Sequence, residues 1–194
     1  PDFETPEQFI PLRPPEKRWE VCMTMNESWG YNPSDTAWKP ARELVHTLCE
    51  VAGRGGNLLP NVCPMGDGRL PGEVTSRLDA IGRWMARNGE SILGTSAGVE
   101  PWQFYGPSTR RGQITYLHLL MRPYQDFTLR GVPVKRVQSV HSLASGAPLQ
   151  WTARTSILDQ MFGKDPLGEL RIALPESELD DFATVVAVEF QDNP

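Results

Sequence analysis

Carboxylates and aromatic rings are interleaved densely at the start of the chain, in Asp2-Phe3-Glu4-Thr5-Pro6-Glu7-Gln8, then Trp19-Glu20-Val21-Cys22-Met23-Thr24, then Asn26 and Ser28-Trp29-Gly30-Tyr31. Side chains of these types suit a sugar. An aromatic ring stacks on the apolar face of a pyranose, while carboxylates bond hydroxyls or transfer protons. Two carboxylic acids flanking a glycosidic bond are the usual requirement for cleaving it. Glu7 and Glu20 are therefore the first candidates for proton transfer, and Trp19 and Trp29 for sugar contact.

Other chemistries find less support. Net charge is −5, and no Lys/Arg run exceeds Arg110-Arg111, so nothing favours nucleic acid. Apolar runs such as Thr184 to Val188 are far shorter than the roughly 20 residues of a membrane helix. Cys22, Cys49 and Cys63 have neither a CxxC spacing nor a nearby pair of histidines; they read as small buried apolar residues, with no metal or cofactor expected. The glycines from Gly53 to Gly56 lack the Lys-Ser/Thr ending of a phosphate loop and follow a helix instead of preceding one.

The elements that must position the candidates fall into two styles. Trp19 to Met25 reads as a strand within a loop-rich, Pro-rich stretch. Leu44, Val45, Leu48, Val51 and Ala52 recur at helical spacing between Pro40 and the glycines from Gly53. Asn57 to Val62 reads as a short buried strand, with Pro60 awkward inside it because proline lacks a ladder donor. Pro71 opens a second helix, its face formed by Val74, Leu78, Ile81 and Met85, which stops at Asn88-Gly89. Strand, helix, strand, helix argues for parallel α/β structure. An eight-fold barrel takes about 250 residues, so residues 1–95 hold only two or three of its units.

Beyond Thr95 the runs shorten to period two: Gln113 to Leu120, Phe127 to Gly131, Val134 to Leu143, Leu149 to Thr155, Glu169 to Leu174 and Thr184 to Phe190. Several are separated by turn residues, which predicts an antiparallel β-sandwich over residues 96–194.

The opening series, followed in order by Gly55-Gly56-Asn57-Leu58-Leu59, Asn61, Pro64, Asp67-Gly68, Gly82-Arg83-Trp84 and Asn88-Gly89-Glu90, resembles glycoside hydrolase family 29, the α-L-fucosidases. The resemblance covers about the first 95 residues and implies the C-terminal part of a (β/α)8-type barrel; a β-sandwich after the barrel is common in the family. Its Asp-Phe-x-Thr-x-Glu pattern puts the general acid/base on Glu7, with Glu20 as the alternative, and the ring that packs on the fucose methyl on Trp29. An indole face can bury that methyl, worth on the order of 0.8 kcal/mol. In the retaining mechanism so implied, Glu7 protonates the leaving oxygen while an upstream aspartate attacks the anomeric carbon, and then activates water to release fucose.

The family's Trp-x-Asp nucleophile motif and His-His pair do not occur in this sequence, and Pro1 leads at once into motif-rich chain without an initiator Met. The expectation is a fragment whose nucleophile is encoded upstream, inactive by itself, with fucosylated glycans as substrate. Compartment and oligomeric state stay open; extracellular or lysosomal glycans are the usual targets by analogy only. Pro60 stands where relatives usually have Leu, and Cys63 where they often have Gly.

Plainer readings stand beside these. Thr5-Pro6-Glu7-Gln8 also has the form of a helix start, with Thr5 as N-cap and Gln8 completing a capping box. Trp19 suits the core and Glu20 the orientation of neighbours. His46 suits a solvated position, while His118 and His141 suit satisfied or exposed sites in strands. Trp102, Trp151 and Tyr116 suit core or barrel-facing contacts better than a carbohydrate platform. A non-catalytic carbohydrate-binding or interaction module built on the sandwich is the competing function, and a hydrolase of another sugar is a third.

Overall fold

A computed structural model describes residues 2–191. It is a mixed helix-and-sheet structure in which two helices lie between a small parallel sheet and a pair of antiparallel sheets.

In the first part, β1 (Glu20–Thr24) pairs in parallel with β2 (Asn57–Asn61), and α1 (Ala41–Gly53) makes the crossover between them. Residues 4–8 run alongside the other edge of β1, with bridges Glu4↔Trp19 and Glu7↔Cys22, both parallel. The helix start that Thr5-Pro6-Glu7-Gln8 permits does not form. Cys22 N–H donates to the Pro6 carbonyl at 3.2 Å and Gln8 N–H to the Cys22 carbonyl at 3.0 Å, so the segment's backbone groups are spent on a strand neighbour. Pro60 lies in β2, paired on one side only among the described residues, where a missing donor is tolerated.

Helix α1 is buried on several sides because its apolar residues exceed one stripe. Val51 packs with Trp19 and Val21 beneath the parallel strands, Leu44 with Met25 and Val74, and Val45 and Cys49 against the antiparallel sheet. The chain leaves α1 through Gly55 at φ 73°, a left-handed turn that suits glycine, and Gly56 passes under the Trp19 ring. Any Cβ on Gly56 would stand 2.3 Å from the indole. The second helix, α2 (Gly72–Asn88), contributes Trp84 as well as the expected face. Trp84 is fully buried, and its indole N–H donates to the Ala183 carbonyl at 2.9 Å, tying α2 to the sheet.

The described residues of the second part form eight strands, β3 (Ser96–Ala97), β4 (Ser108–Arg111), β5 (Ile114–Leu119), β6 (Asp126–Pro133), β7 (Val137–Ser142), β8 (Trp151–Arg154), β9 (Leu167–Ala173) and β10 (Thr184–Phe190). A short helix, α3 (Ile157–Phe162), lies between β8 and β9. The strands form sheets of order β3-β4-β5-β10-β7 and β6-β9-β8, facing each other across one core that includes Leu117, Leu129, Leu170, Ile172, Val188 and Phe190. The short β3 and β4 carry no apolar run, and the sequence gives no sign of them. Strand β10 is apolar at nearly every position because both its faces are covered. Val186, Val188 and Phe190 enter the core between the sheets, while Val185 and Ala187 meet Trp84 and Tyr116 under the helices.

Three sequence readings are corrected here. His46 is not simply solvated: its Nε2 lies 2.8 Å from the Phe182 carbonyl, half-buried between α1 and the sheet. Cys22 is half-buried instead of core, whereas Cys49 and Cys63 are buried as expected. Trp102 is 65% exposed, so it is neither core nor an inter-layer contact, whereas Tyr116 is fully buried beneath the helices.

Candidate active site

Alternation along β1 separates the candidates. Val21 faces α1, joined there by Trp19 and Leu58, so Glu20, Cys22 and Thr24 point to the opposite face. Register adds Asn57, Leu59 and Asn61 from β2 to that face, and Glu7 beside Cys22 from the first segment. No described helix covers it, which leaves Leu59 half exposed. Burial pushes the Cys22 thiol pKa up, and the carboxylates of Glu7 and then Glu20 add to the shift. Both acids thus act electrostatically on one thiol on this open face.

They differ in height. Glu20 stands level with Glu4 and Asn57 at the N-terminal end of β1, roughly 13 Å of strand from Thr24. Glu7 is one residue from the end of its own segment. There Gln8 takes φ 60°, a conformation that non-glycine residues seldom adopt. The Gln8 side chain explains why it is tolerated. Its Oε1 accepts from Thr24 N–H at 3.2 Å and its Nε2 donates to Thr24 Oγ1 at 3.0 Å, fastening the end of Glu7's segment to the end of β1.

The same end carries the loop that holds Trp29. Asp35 organises this loop from within: Oδ2 accepts from Glu27 N–H at 3.1 Å and from Ser28 Oγ at 2.7 Å, and Oδ1 accepts from Ala37 N–H at 3.1 Å. The Ser28 hydrogen bond is the main cause that holds the Asp35 carboxyl below its usual pKa. Lys39 closes the loop by donating to the Thr24 carbonyl at 2.7 Å. From β2, Asn61 Nδ2 donates to the Trp29 carbonyl at 2.6 Å, and the buried Cys63 thiol donates to the Ser28 carbonyl at 3.1 Å. Cys63 does so at φ 45°, the second strained non-glycine position among the described residues. Trp29 itself is 47% exposed, free to present a ring face.

Trp19 is placed differently from Trp29. It is 3% exposed at the far end of β1, with its indole N–H 3.3 Å from the Arg54 carbonyl. The structure therefore sets Glu7 level with Cys22, nearer than Glu20 to the C-terminal ends of the strands, and ties the Trp29 loop to those ends, where enzymes of parallel α/β architecture place their sites. Glu20 and Trp19 lie toward the other end. Asp35, Lys39 and the thiol of Cys63 were not singled out from sequence as site supports. Their partners lie up to 37 residues away, beyond any local pattern.

Comparison with known proteins points to one family. Residues 1–90 match the family model described as alpha-L-fucosidase. The chain is 32% identical over 147 residues to an alpha-L-fucosidase of Branchiostoma floridae, covering 70% of this chain and 32% of that protein. It is 27% identical over 199 residues to the tissue alpha-L-fucosidase of Mus musculus, covering 97% and 40%. Among solved structures, alpha-L-fucosidase isoenzyme 1 from Paenibacillus thiaminolyticus superposes with a TM-score of 0.82 at 32% identity, over 98% of this chain and 45% of that one. The alpha-fucosidase of Thermotoga maritima, in complex with a mechanism-based inhibitor, gives 0.77 at 26%, over 97% and 42%. The chain spans about a third to two-fifths of the length of these curated relatives.

Proposed function

The chain belongs, through residues 1–90, to the α-L-fucosidase family, glycoside hydrolase family 29, and from that premise we propose that it supplies the acid/base carboxylate and the methyl-binding aromatic of a retaining α-L-fucosidase. In this reading residues 1–95 are the last part of a (β/α)8-type barrel and residues 96–194 its accompanying sandwich. The open face of β1 and β2 is then barrel interior. The substrate is a glycan ending in α-L-fucose.

The observation that carries the reading is the shared end of the strands. The bridge to Cys22 sets Glu7 nearer than Glu20 to the strand ends that carry the Trp29 loop, which supports a sugar held between an acid and a ring. In the first step Glu7 gives its proton to the glycosidic oxygen as a carboxylate from outside this chain attacks the anomeric carbon. In the second it takes a proton from water, whose oxygen replaces that carboxylate and releases fucose. Trp29 would bury the 6-deoxy methyl, the one wholly apolar corner of the sugar. Glu20, at the opposite end of its strand, is better suited to orienting neighbours, and Trp19 to the core.

The test is kinetic. In an enzyme carrying this chain together with the nucleophile region of its relatives, Glu7→Ala should lower hydrolysis of a fucosyl glycan by roughly 10²- to 10⁴-fold. The effect should shrink with an aryl leaving group that needs no proton. If Glu20→Ala produces that pattern and Glu7→Ala does not, the assignment is wrong. The 194-residue chain alone should turn over no fucoside.

A further inference from the structure

We propose that the chain has a second glycan-binding site, remote in sequence from Glu7, in a groove along β6, the edge strand of the β6-β9-β8 sheet, that takes an oligosaccharide.

The floor of the groove follows from strand alternation. Phe127 and Leu129 of β6 enter the core, so Asp126, Thr128 and Arg130 form a polar row on the outside. The wall is aromatic: Trp102 is 65% exposed and Tyr105 is 52% exposed, and both border the same cleft of about 470 Å³ as that row. This volume lies within the roughly 300–1,000 Å³ of small-molecule sites.

The rings are held rather than loose. Gly131 is the extra residue of a bulge in β6, at φ 64°, and any Cβ there would stand 2.6 Å from the Trp102 ring. Only glycine lets the indole rest on the strand at that point. Gln103 clamps the loop between the two rings: its Nε2 donates to the Arg130 and Gly131 carbonyls at 3.0 and 3.1 Å, its Oε1 accepts from Glu100 N–H at 3.0 Å, and its carbonyl accepts from Arg130 N–H at 2.9 Å. Tyr105 leans on the buried Phe104 ring at 4.8 Å. Exposed rings fixed before binding lose little entropy on contact, which is what a stacking platform needs.

Side-chain chemistry selects the ligand class. Asp126 is paired with Arg171 at 2.5 Å, and Arg130 shares Glu169 with Arg154, at 3.7 and 3.4 Å. The floor therefore offers planar hydrogen-bonding groups beside exposed rings, a combination that matches the hydroxyls and apolar faces of a sugar. This inference does not depend on the role given to Glu7.

The test is a titration of the 194-residue chain, isotope-labelled, with 2′-fucosyllactose and with N-acetyllactosamine oligomers, followed by the tryptophan indole and backbone amide resonances. The Trp102 indole and amides 126–131 should shift together, with a dissociation constant of about 1 mM or tighter. Trp102→Ala should weaken this at least about tenfold with unchanged circular dichroism, Arg130→Gln should weaken it less, and Trp29→Phe should leave it intact. Shifts confined to Trp29 and the ends of β1 and β2 would overturn the proposal. So would no response from Trp102 at saturating sugar, or Trp102→Ala binding as wild type. Should Trp102→Ala misfold, the shift map of the wild-type chain and Arg130→Gln decide the question.

Discussion

Asn61 Nδ2 lies 2.6 Å from the Trp29 carbonyl oxygen, a hydrogen bond spanning 32 residues that joins the end of β2 to the loop leaving β1. The amide fixes the loop's height above the strand ends by backbone, leaving the indole ring unencumbered for contact. A ring used for recognition gains from such support, since an ordered platform loses less freedom when it binds.

Asn61→Ala should therefore act on the loop before it acts on the fold. Losing one exposed hydrogen bond costs at most about 1 kcal/mol, and hydrogen exchange should quicken at the amides of Glu27 and Ala37, which Asp35 otherwise holds. Global unfolding should shift by no more than that amount. If exchange in the loop is unchanged, the bond does not set the loop's order.

Glycine 56 is a place where one methyl group should matter. Gly56→Ala would drive a Cβ to 2.3 Å from the buried Trp19 ring, forcing the core beneath the parallel strands to move. Overpacking of this kind costs typically 1–3 kcal/mol, readable as a lower denaturation midpoint. Gly30→Ala, with open space at the same distance, is the control and should be close to neutral.

The joint between α2 and the antiparallel sheet rests heavily on one indole. Trp84→Phe removes the N–H that donates to Ala183 and leaves that buried carbonyl short of a donor, besides opening a void. The expected loss is about 2–3 kcal/mol in chemical denaturation. A loss below roughly half a kilocalorie would mean that the two layers hold together without it.

Acid should destabilise the chain through His118. This ring is fully buried on β5, and its burial lowers the pKa from 6.5 to about 3. Thr109 Oγ1 donates to the Ser91 carbonyl, so it accepts from His118 Nε2–H at 3.2 Å, which fixes the neutral tautomer. The unfolded chain takes up a proton below pH 6.5 and the folded one does not, so stability is full above pH 6.5 and falls as pH drops toward 3. By pH 4 the loss is on the order of 3 kcal/mol. In His118→Gln the slope of stability against pH over this window should flatten; an unchanged slope would assign the acid sensitivity to other groups.

Much of this was legible in the residues. Helices α1 and α2 announce themselves through apolar spacing closed by Gly55 and Asn88-Gly89, and the longer sandwich strands through period two, because burial of one face writes itself directly into residue order. The carboxylates and rings of the opening segment point to a sugar for the same local reason: each side chain carries its chemistry with it. Ambiguity enters where two local codes coincide. Thr5-Pro6-Glu7-Gln8 meets the requirements of a helix cap and of a strand end, and the hydrogen bonds offered by the backbone of Cys22 choose the strand.

The sequence by itself determined which residue types could serve as acid, ring and core, since those properties belong to single side chains and short spacings. Tertiary structure alone decided which of them meet. Parallel pairing sets Glu7 nearer than Glu20 to the strand ends that carry Trp29, with Trp19 at the other end, and a bulge at Gly131 leaves room for the exposed Trp102 ring, which the sequence placed in packing. Register and strand direction are fixed by contacts between segments tens of residues apart, and such contacts leave no trace in any one stretch of chain.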